Sequence, residues 1–202
     1  MKFIGEYDKS VLLTYAGVAF SLFGIYATFY MNLKGAMMCL ILAGICDLFD
    51  GVVARRMKRT PAQEAFGVEI DSLCDMISFA AFPAVFLMWI LPFEKGNVVL
   101  VLLYVLAAVT RLAHFNRLAK GQEGSATHFI GLPVTYSALV FPLVFLFFQL
   151  CAKAWLSLGL AFAAIVLAVL FVWDVLIAKP NKAGYIGLSI LAVVMLIVLG
   201  VL

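Results

Sequence analysis

Apolar residues in this chain arrive in runs of about twenty, the length a helix needs to cross the hydrocarbon core of a bilayer. That pattern leaves few folds open. Runs near 11–31, 35–56, 67–91, 97–117, 131–151, 154–178 and 184–202 predict a polytopic transmembrane bundle, all-α, with about seven spans and six to eight compatible with the pattern. Across the 202 residues 66% are apolar and 12% charged. A soluble domain is about half apolar and a quarter charged, and a chain this short cannot hide the excess inside itself, so lipid must cover it. Neither internal repeat, low-complexity tract nor second domain is evident, and residues 1–202 are read as one membrane domain.

Lysine and arginine set the orientation. With the N-terminus in the cytoplasm, the inner side carries Lys2, Lys9, Arg55, Arg56, Lys58, Arg59, Arg111, Arg117, Lys120, Lys179 and Lys182, whereas the outer side carries Lys34, Lys95 and Lys153, eleven against three. With seven spans, the C-terminus lies outside. Met1 to Ser10 has no cleavable leader pattern. The cysteines Cys39, Cys46, Cys74 and Cys151 sit within or beside apolar runs without a CxxC pair and read as small buried hydrophobes. Between the second and third runs, Thr60-Pro61-Ala62-Gln63 spells a helix start: an N-cap, proline at the first position and a capping box. Pro83, inside the third run, is expected to kink it.

Two of these runs carry acids: Asp47 and Asp50 in the second, Asp71 and Asp75 in the third. A charge at mid-span costs about 2.5–3.5 kcal/mol on insertion scales, and the apolar parts of both runs contain no basic partner. Asp47, Asp50 and Ala54 share one helical face by their spacing, as do Gly67, Asp71 and Asp75. A short connection makes the helices antiparallel neighbours, so both acid pairs lie toward one side and can face each other. Converging carboxylates repel unless cations join them, and hard oxygen ligands suit Mg²⁺ or Mn²⁺. Two bridged ions are a known arrangement for displacement at phosphorus. Gly51, Ala54 and Gly67 leave room on the acidic faces for a ligand; close helix packing accounts for any one of them equally well.

The pattern Asp47-x-x-Asp50-Gly51-x-x-Ala54-Arg55 followed by Gly67-x-x-x-Asp71-x-x-x-Asp75 resembles the signature of the CDP-alcohol phosphotransferase family. The spacer of residues 56–66 is nearly one helical turn longer than the family's usual one, an addition that falls at the start of the third helix and leaves its acidic face intact. Within the family, three stretches resemble the phosphatidylserine synthases: Asp71-Ser72-Leu73-Cys74-Asp75-Met76-Ile77-Ser78-Phe79, Arg111-Leu112-Ala113-His114-Phe115-Asn116, and Phe129-Ile130-Gly131-Leu132-Pro133. Relatives that make phosphatidylglycerol phosphate tend to have Pro and Lys where Ser72 and Met76 stand. His114 departs from the Arg usual at its position, and Tyr7-Asp8-Lys9-Ser10 departs from a common Pro-Asn. The last run is not something the family core requires.

The resemblance implies transfer of a phosphatidyl group from CDP-diacylglycerol to L-serine, releasing CMP, in an integral protein of a prokaryotic cell membrane with its active site on the cytoplasmic side. Asp47, Asp50, Asp71 and Asp75 would hold two Mg²⁺ or Mn²⁺ ions. Gly51, Ala54 and Gly67 would line the cytidine and diphosphate pocket beside Arg55, and Asp75 would also act as general base. A homodimer embedded in membrane lipid is implied, with no nucleic-acid partner. Arg111 is a candidate for a substrate anion, with a snorkelling arginine as the alternative. Asn116 is a candidate for serine, or a plain helix-end polar residue. Arg56, Lys58 and Arg59 read as headgroup ligands or as an ordinary positive-inside loop. His128 reads as a solvated loop residue and Asp174 as a partner of Lys179 or Lys182. Two other readings stand beside this one: a sister enzyme using glycerol phosphate or inositol phosphate, and a cation transporter, since membrane acids also mark ion paths.

Overall fold

A computed structural model describes residues 4–121, 128–150, 152–178 and 181–201. Lys2, Cys151 and Lys179 lie outside the described residues, as do the side chains of Lys120, His128 and Lys182, so the pairing expected for Asp174 falls there too.

The chain is an all-α polytopic bundle. Its helices are α1 (Lys9–Phe29), α2 (Leu33–Arg56), α3 (Pro61–Asp75), α4 (Phe82–Ile90), α5 (Lys95–Gly121), α6 (Ser137–Phe148), α7 (Lys153–Val172) and α8 (Lys182–Val201). A π-helical segment, Met76–Ala81, joins α3 to α4, so that Pro61–Ile90 forms one span. Among the described residues six helices are long and apolar enough to cross a membrane, which makes this an integral membrane protein.

The starts of the helices follow from local chemistry. Asp8 caps α1, its carboxylate accepting from the backbone N–H of Ser10 at 2.7 Å and Val11 at 3.3 Å. Burial raises the titration point of this carboxyl, but hydrogen bonds from the Ser10 hydroxyl and the two N–H groups, with Arg59 at 3.8 Å, bring it below the ordinary carboxylate range. The capping box at α3 is present, with Gln63 N–H donating to Thr60 Oγ1 at 3.2 Å and Thr60 N–H to Gln63 Oε1 at 3.0 Å.

Antiparallel α1 and α2 pack through a stripe of small and polar residues. Ser10, Thr14, Gly17, Ser21, Gly24 and Thr28 recur at alternating spacings of four and three, and all are buried. The Ser21 and Thr28 hydroxyls donate to carbonyls one turn back, those of Gly17 and Gly24, both at 2.9 Å, so they enter the interface already hydrogen-bonded. At the centre of the bundle Tyr104 on α5 is fully buried against Phe141 of α6 and Phe171 of α7.

Pro83 does distort its helix, one turn earlier than its own position. It has no N–H for the carbonyl of Phe79, four residues back, and its ring crowds that carbonyl. The Phe79 carbonyl accepts instead from Tyr104 Oη at 2.6 Å and Ser137 Oγ at 3.4 Å, and the backbone widens into the π segment around it.

The run at 131–151 is a shorter helix than its apolar length predicts. Strand β1 (His128–Ile130) pairs antiparallel with β2 (Leu176–Ala178), Ile130 opposite Leu176. Gly131 then turns with a φ of 75°, where a side chain is disfavoured, and an added Cβ would meet the Phe171 carbonyl oxygen at 3.0 Å. Pro133 is extended, a 3₁₀ turn covers Val134–Tyr136, and α6 begins only at Ser137. Twelve residues of helix measure about 18 Å, short of the roughly 30 Å core. The segment before it therefore enters the bundle as extended chain. Its carbonyls are held by Arg111, whose Nε donates to Leu132 O at 3.1 Å and Nη2 to Gly131 O at 3.3 Å.

Candidate active site

Asp47, near the middle of α2, and Asp71 and Asp75, one turn apart on α3, converge. Each offers a carboxylate oxygen, and these atoms lie within 4.8 Å of one another. The side chains of Asp47 and Asp75 meet directly. Asp50, one turn further along α2, is buried and turned toward α1, where Thr14 Oγ1 donates to its Oδ2 at 2.7 Å. A small cavity is lined by Thr14, Gly17, Asp47, Asp50, Asp75 and Ser78, so three helices frame the cluster. Among the described residues no lysine or arginine forms an ion pair with Asp47, Asp71 or Asp75. Three close carboxylates without a cationic partner are a donor set that fits a hard divalent cation.

Beside the cluster lies a larger cavity of about 200 Å³. Asp47, Leu48, Gly51 and Arg55 of α2 line it, with Thr135 and Tyr136 of the 3₁₀ turn, Ala138 of α6, and Tyr185, Leu188 and Ala192 of α8. Arg55 lies close to Gly51: a Cβ there would stand 3.4 Å from Nη1. Gly67 faces Arg59, whose Nη1 would be 3.1 Å from an added Cβ, and the same guanidinium pairs with Asp8. Arg59 thus ties the α2–α3 connection to the start of α1.

Of the residues singled out by sequence, Asp47, Asp71 and Asp75 come together, with Asp50 adjoining them through the small cavity. Gly51 and Arg55 line the larger cavity, and Ala54 and Gly67 are not among its lining residues. Asn116 is drawn to α3, its Oδ1 accepting from the Ser72 hydroxyl at 2.7 Å, next in sequence to Asp71. Arg111 is buried, and its two hydrogen bonds above go to loop carbonyls. The Nε2 of His114 is buried without a hydrogen-bond partner among the described residues. Sequence reasoning missed Thr14, Tyr136 and Tyr185. Thr14 had a legible signal in the α1 stripe; the tyrosines had none, because only the fold brings α6 and α8 to the cavity.

Comparison with known proteins bears on this arrangement. A serine O-phosphatidyltransferase that uses CDP-diacylglycerol, from Mycobacterium tuberculosis (strain ATCC 25618 / H37Rv), is 39% identical over 111 residues, 52% of this chain and 37% of the relative. Archaetidylserine synthase from Methanothermobacter thermautotrophicus is 30% identical over 154 residues, 76% of this chain and 62% of the relative. The Bacillus subtilis (strain 168) CDP-diacylglycerol–serine O-phosphatidyltransferase is 25% identical over 132 residues, 63% of this chain and 70% of that protein. The alignments with the first two thus span less than two thirds of those relatives. The CDP-alcohol phosphatidyltransferase family profile matches residues 10–173, from the start of α1 to just past α7, and takes in all four aspartates. With its acidic motifs on two adjoining helices and this match over most of its length, the chain belongs to the CDP-alcohol phosphatidyltransferase family.

Proposed function

We propose that this protein transfers a phosphatidyl group from CDP-diacylglycerol to the hydroxyl of L-serine, giving phosphatidylserine and CMP. The observation that carries the reading is the meeting of Asp47, Asp71 and Asp75, without a basic partner, beside a cavity that also contains Arg55. The alcohol is proposed from the relatives, whose names specify serine in both diacylglycerol and archaeal lipid chemistry.

Asp47, Asp50, Asp71 and Asp75 would hold two divalent cations, Mg²⁺ or Mn²⁺. Such ions, when bound, neutralise the diphosphate oxygens and favour departure of CMP. Asp75 takes the proton from the serine hydroxyl as its oxygen forms a bond to the lipid-side phosphorus. The bond from that phosphorus to the CMP oxygen breaks in line, and CMP leaves with the electron pair. Gly51, Ala54 and Gly67 keep the approach to the acids free of side chains, and Arg55 offers its guanidinium to the diphosphate. Arg111 and Asn116 serve serine: Asn116 from its bond to Ser72, and Arg111 by orienting the Gly131–Leu132 segment. The site opens to the cytoplasm of a prokaryotic cell, and the protein works as a homodimer in the membrane.

The test is CMP release from a labelled CDP-lipid with serine, glycerol phosphate or inositol phosphate, each with Mg²⁺, Mn²⁺ or chelator. Serine-dependent release that chelator abolishes is expected. Release with inositol phosphate but not with serine overturns the choice of alcohol. No release with any alcohol, alongside ion flux in vesicles, favours a transporter. The Asp75→Asn variant is expected to lose turnover while its membrane abundance stays near normal; retained turnover removes the base assignment.

A further inference from the structure

The larger cavity has a wall that the family match does not include. Helix α8 begins after residue 173, where that match ends, yet it supplies Tyr185, Leu188 and Ala192 to the cavity shared with Asp47 and Arg55. The spacing shows why. Residues 185, 188, 192, 195 and 199 recur at alternating steps of three and four, one face of a helix. Ala192, Met195 and Leu199 on that face are buried, while Ile186, Ile190, Val193, Val194 and Ile197 are exposed. Lipid bathes the rest of α8, and only this stripe meets α2 and α6.

Connectivity orients the wall. Strand pairing brings the chain entering α8 beside the chain leaving α5, and alternation of spanning helices puts that end of the bundle with the end of α2. Arg55 and Tyr185 therefore lie at the same end of the cavity. The opposite end is formed by Ile41, Gly44, Ala138 and Ala192, all apolar. An added Cβ on Gly44 would come within 2.6 Å of Ala138 Cβ, so α2 and α6 touch there and close the floor. The cavity is amphipathic along its length, with a carboxylate, a guanidinium and hydroxyls at one end and hydrocarbon at the other. The molecule that matches is an anionic amphiphile lying with its head toward Asp47.

We infer that α8 selects the lipid half of the CDP-linked substrate, with Leu188 and Ala192 flanking the first carbons of an acyl chain and Tyr185 standing beside the head. The inference rests on the proposed phosphatidyl transfer for the identity of that lipid, and on the cavity for its place.

Two measurements on the full chain in lipid nanodiscs test it. The first is photo-crosslinking with a CDP-diacylglycerol carrying a diazirine near the carboxyl end of one chain. Adducts are expected on the peptide spanning 185–192, suppressed by excess unlabelled lipid; adducts confined to other helices overturn the inference. The second compares kcat/KM for long-chain and short-chain CDP-diacylglycerol. In Ala192→Phe the long-chain value is expected to fall about tenfold relative to the short-chain value; an unchanged ratio in folded protein overturns it. CMP release by the unaltered chain, measured alongside, separates the two readings. Crosslinks on α8 with transfer to another alcohol refute serine and keep α8, whereas transfer to serine with crosslinks elsewhere refutes α8 alone.

Discussion

Thr14 illustrates how one hydroxyl can govern a carboxylate two helices removed from its partners. It donates to Asp50 at 2.7 Å within the α1–α2 interface, fixing which oxygen of Asp50 remains free for the cluster. Thr14→Val keeps the shape and removes the donor. We predict a weakening of divalent-metal activation by about 10–100-fold, the usual effect of losing a residue that orients a ligand, read from the Mn²⁺ concentration giving half-maximal activity. A second residue-scale prediction concerns Asp8, whose carboxyl titrates below the ordinary range because Ser10 and Val11 hydrogen-bond it. Its stabilising contribution is complete above the ordinary carboxylate pKa and lost as pH falls through the lowered folded value. Asp8→Ala should remove a cap worth about 1 kcal/mol, seen as a lower thermal midpoint in detergent at pH 7 and little difference from the parent in strong acid. The aspartates themselves were legible from sequence because acids in apolar helices have few explanations. Thr14 was less so, since a threonine in a membrane helix is ordinary until its partner is known.

Among the elements, the third span is the least regular, and its irregularity has a definite cause. Pro83 leaves the Phe79 carbonyl without its helical donor, and Tyr104 from α5 replaces it at 2.6 Å. Tyr104→Phe keeps the ring contacts with Phe141 and Phe171 and deletes the bond, so we predict a loss of about 1–3 kcal/mol for an under-satisfied buried carbonyl, measured as thermal stability of the purified protein. The spans at either side of the acids were readable within a few residues, because hydrophobic length and the Thr60–Gln63 box mark their ends. The run at 131–151 was not. Its composition is that of a full span, and only the left-handed Gly131 with Pro133 moves the helix start inward. The π segment was also invisible, because sequence gives the missing N–H of a proline but not where its orphaned carbonyl will find a donor.

At the level of the whole molecule, charge asymmetry predicts orientation. Single cysteines introduced at Lys58 and Lys95, in a chain whose own cysteines are replaced by alanine, should label with a membrane-impermeant maleimide on opposite sides of sealed vesicles. Lys58 is expected to react only from the cytoplasmic side; the reverse pattern would put the acids at the other surface. The joining of distant parts into one site is what a linear reading sees least well. The cavity beside Asp47 is built from α2, the 3₁₀ turn, α6 and α8, separated by more than a hundred residues of chain.

The widened turn at Met76–Ala81 has a further consequence. A π turn accommodates one more residue than the α-helix it interrupts, so it acts as a phase adjuster between the half of the span that holds Asp71 and Asp75 and the half that holds Phe82 and Phe86. Excising a single amino acid there would let the backbone relax into an unbroken α-helix, yet would swing one half about 100° against the other. The protein would gain a straighter rod and aim its carboxylates at the wrong neighbour.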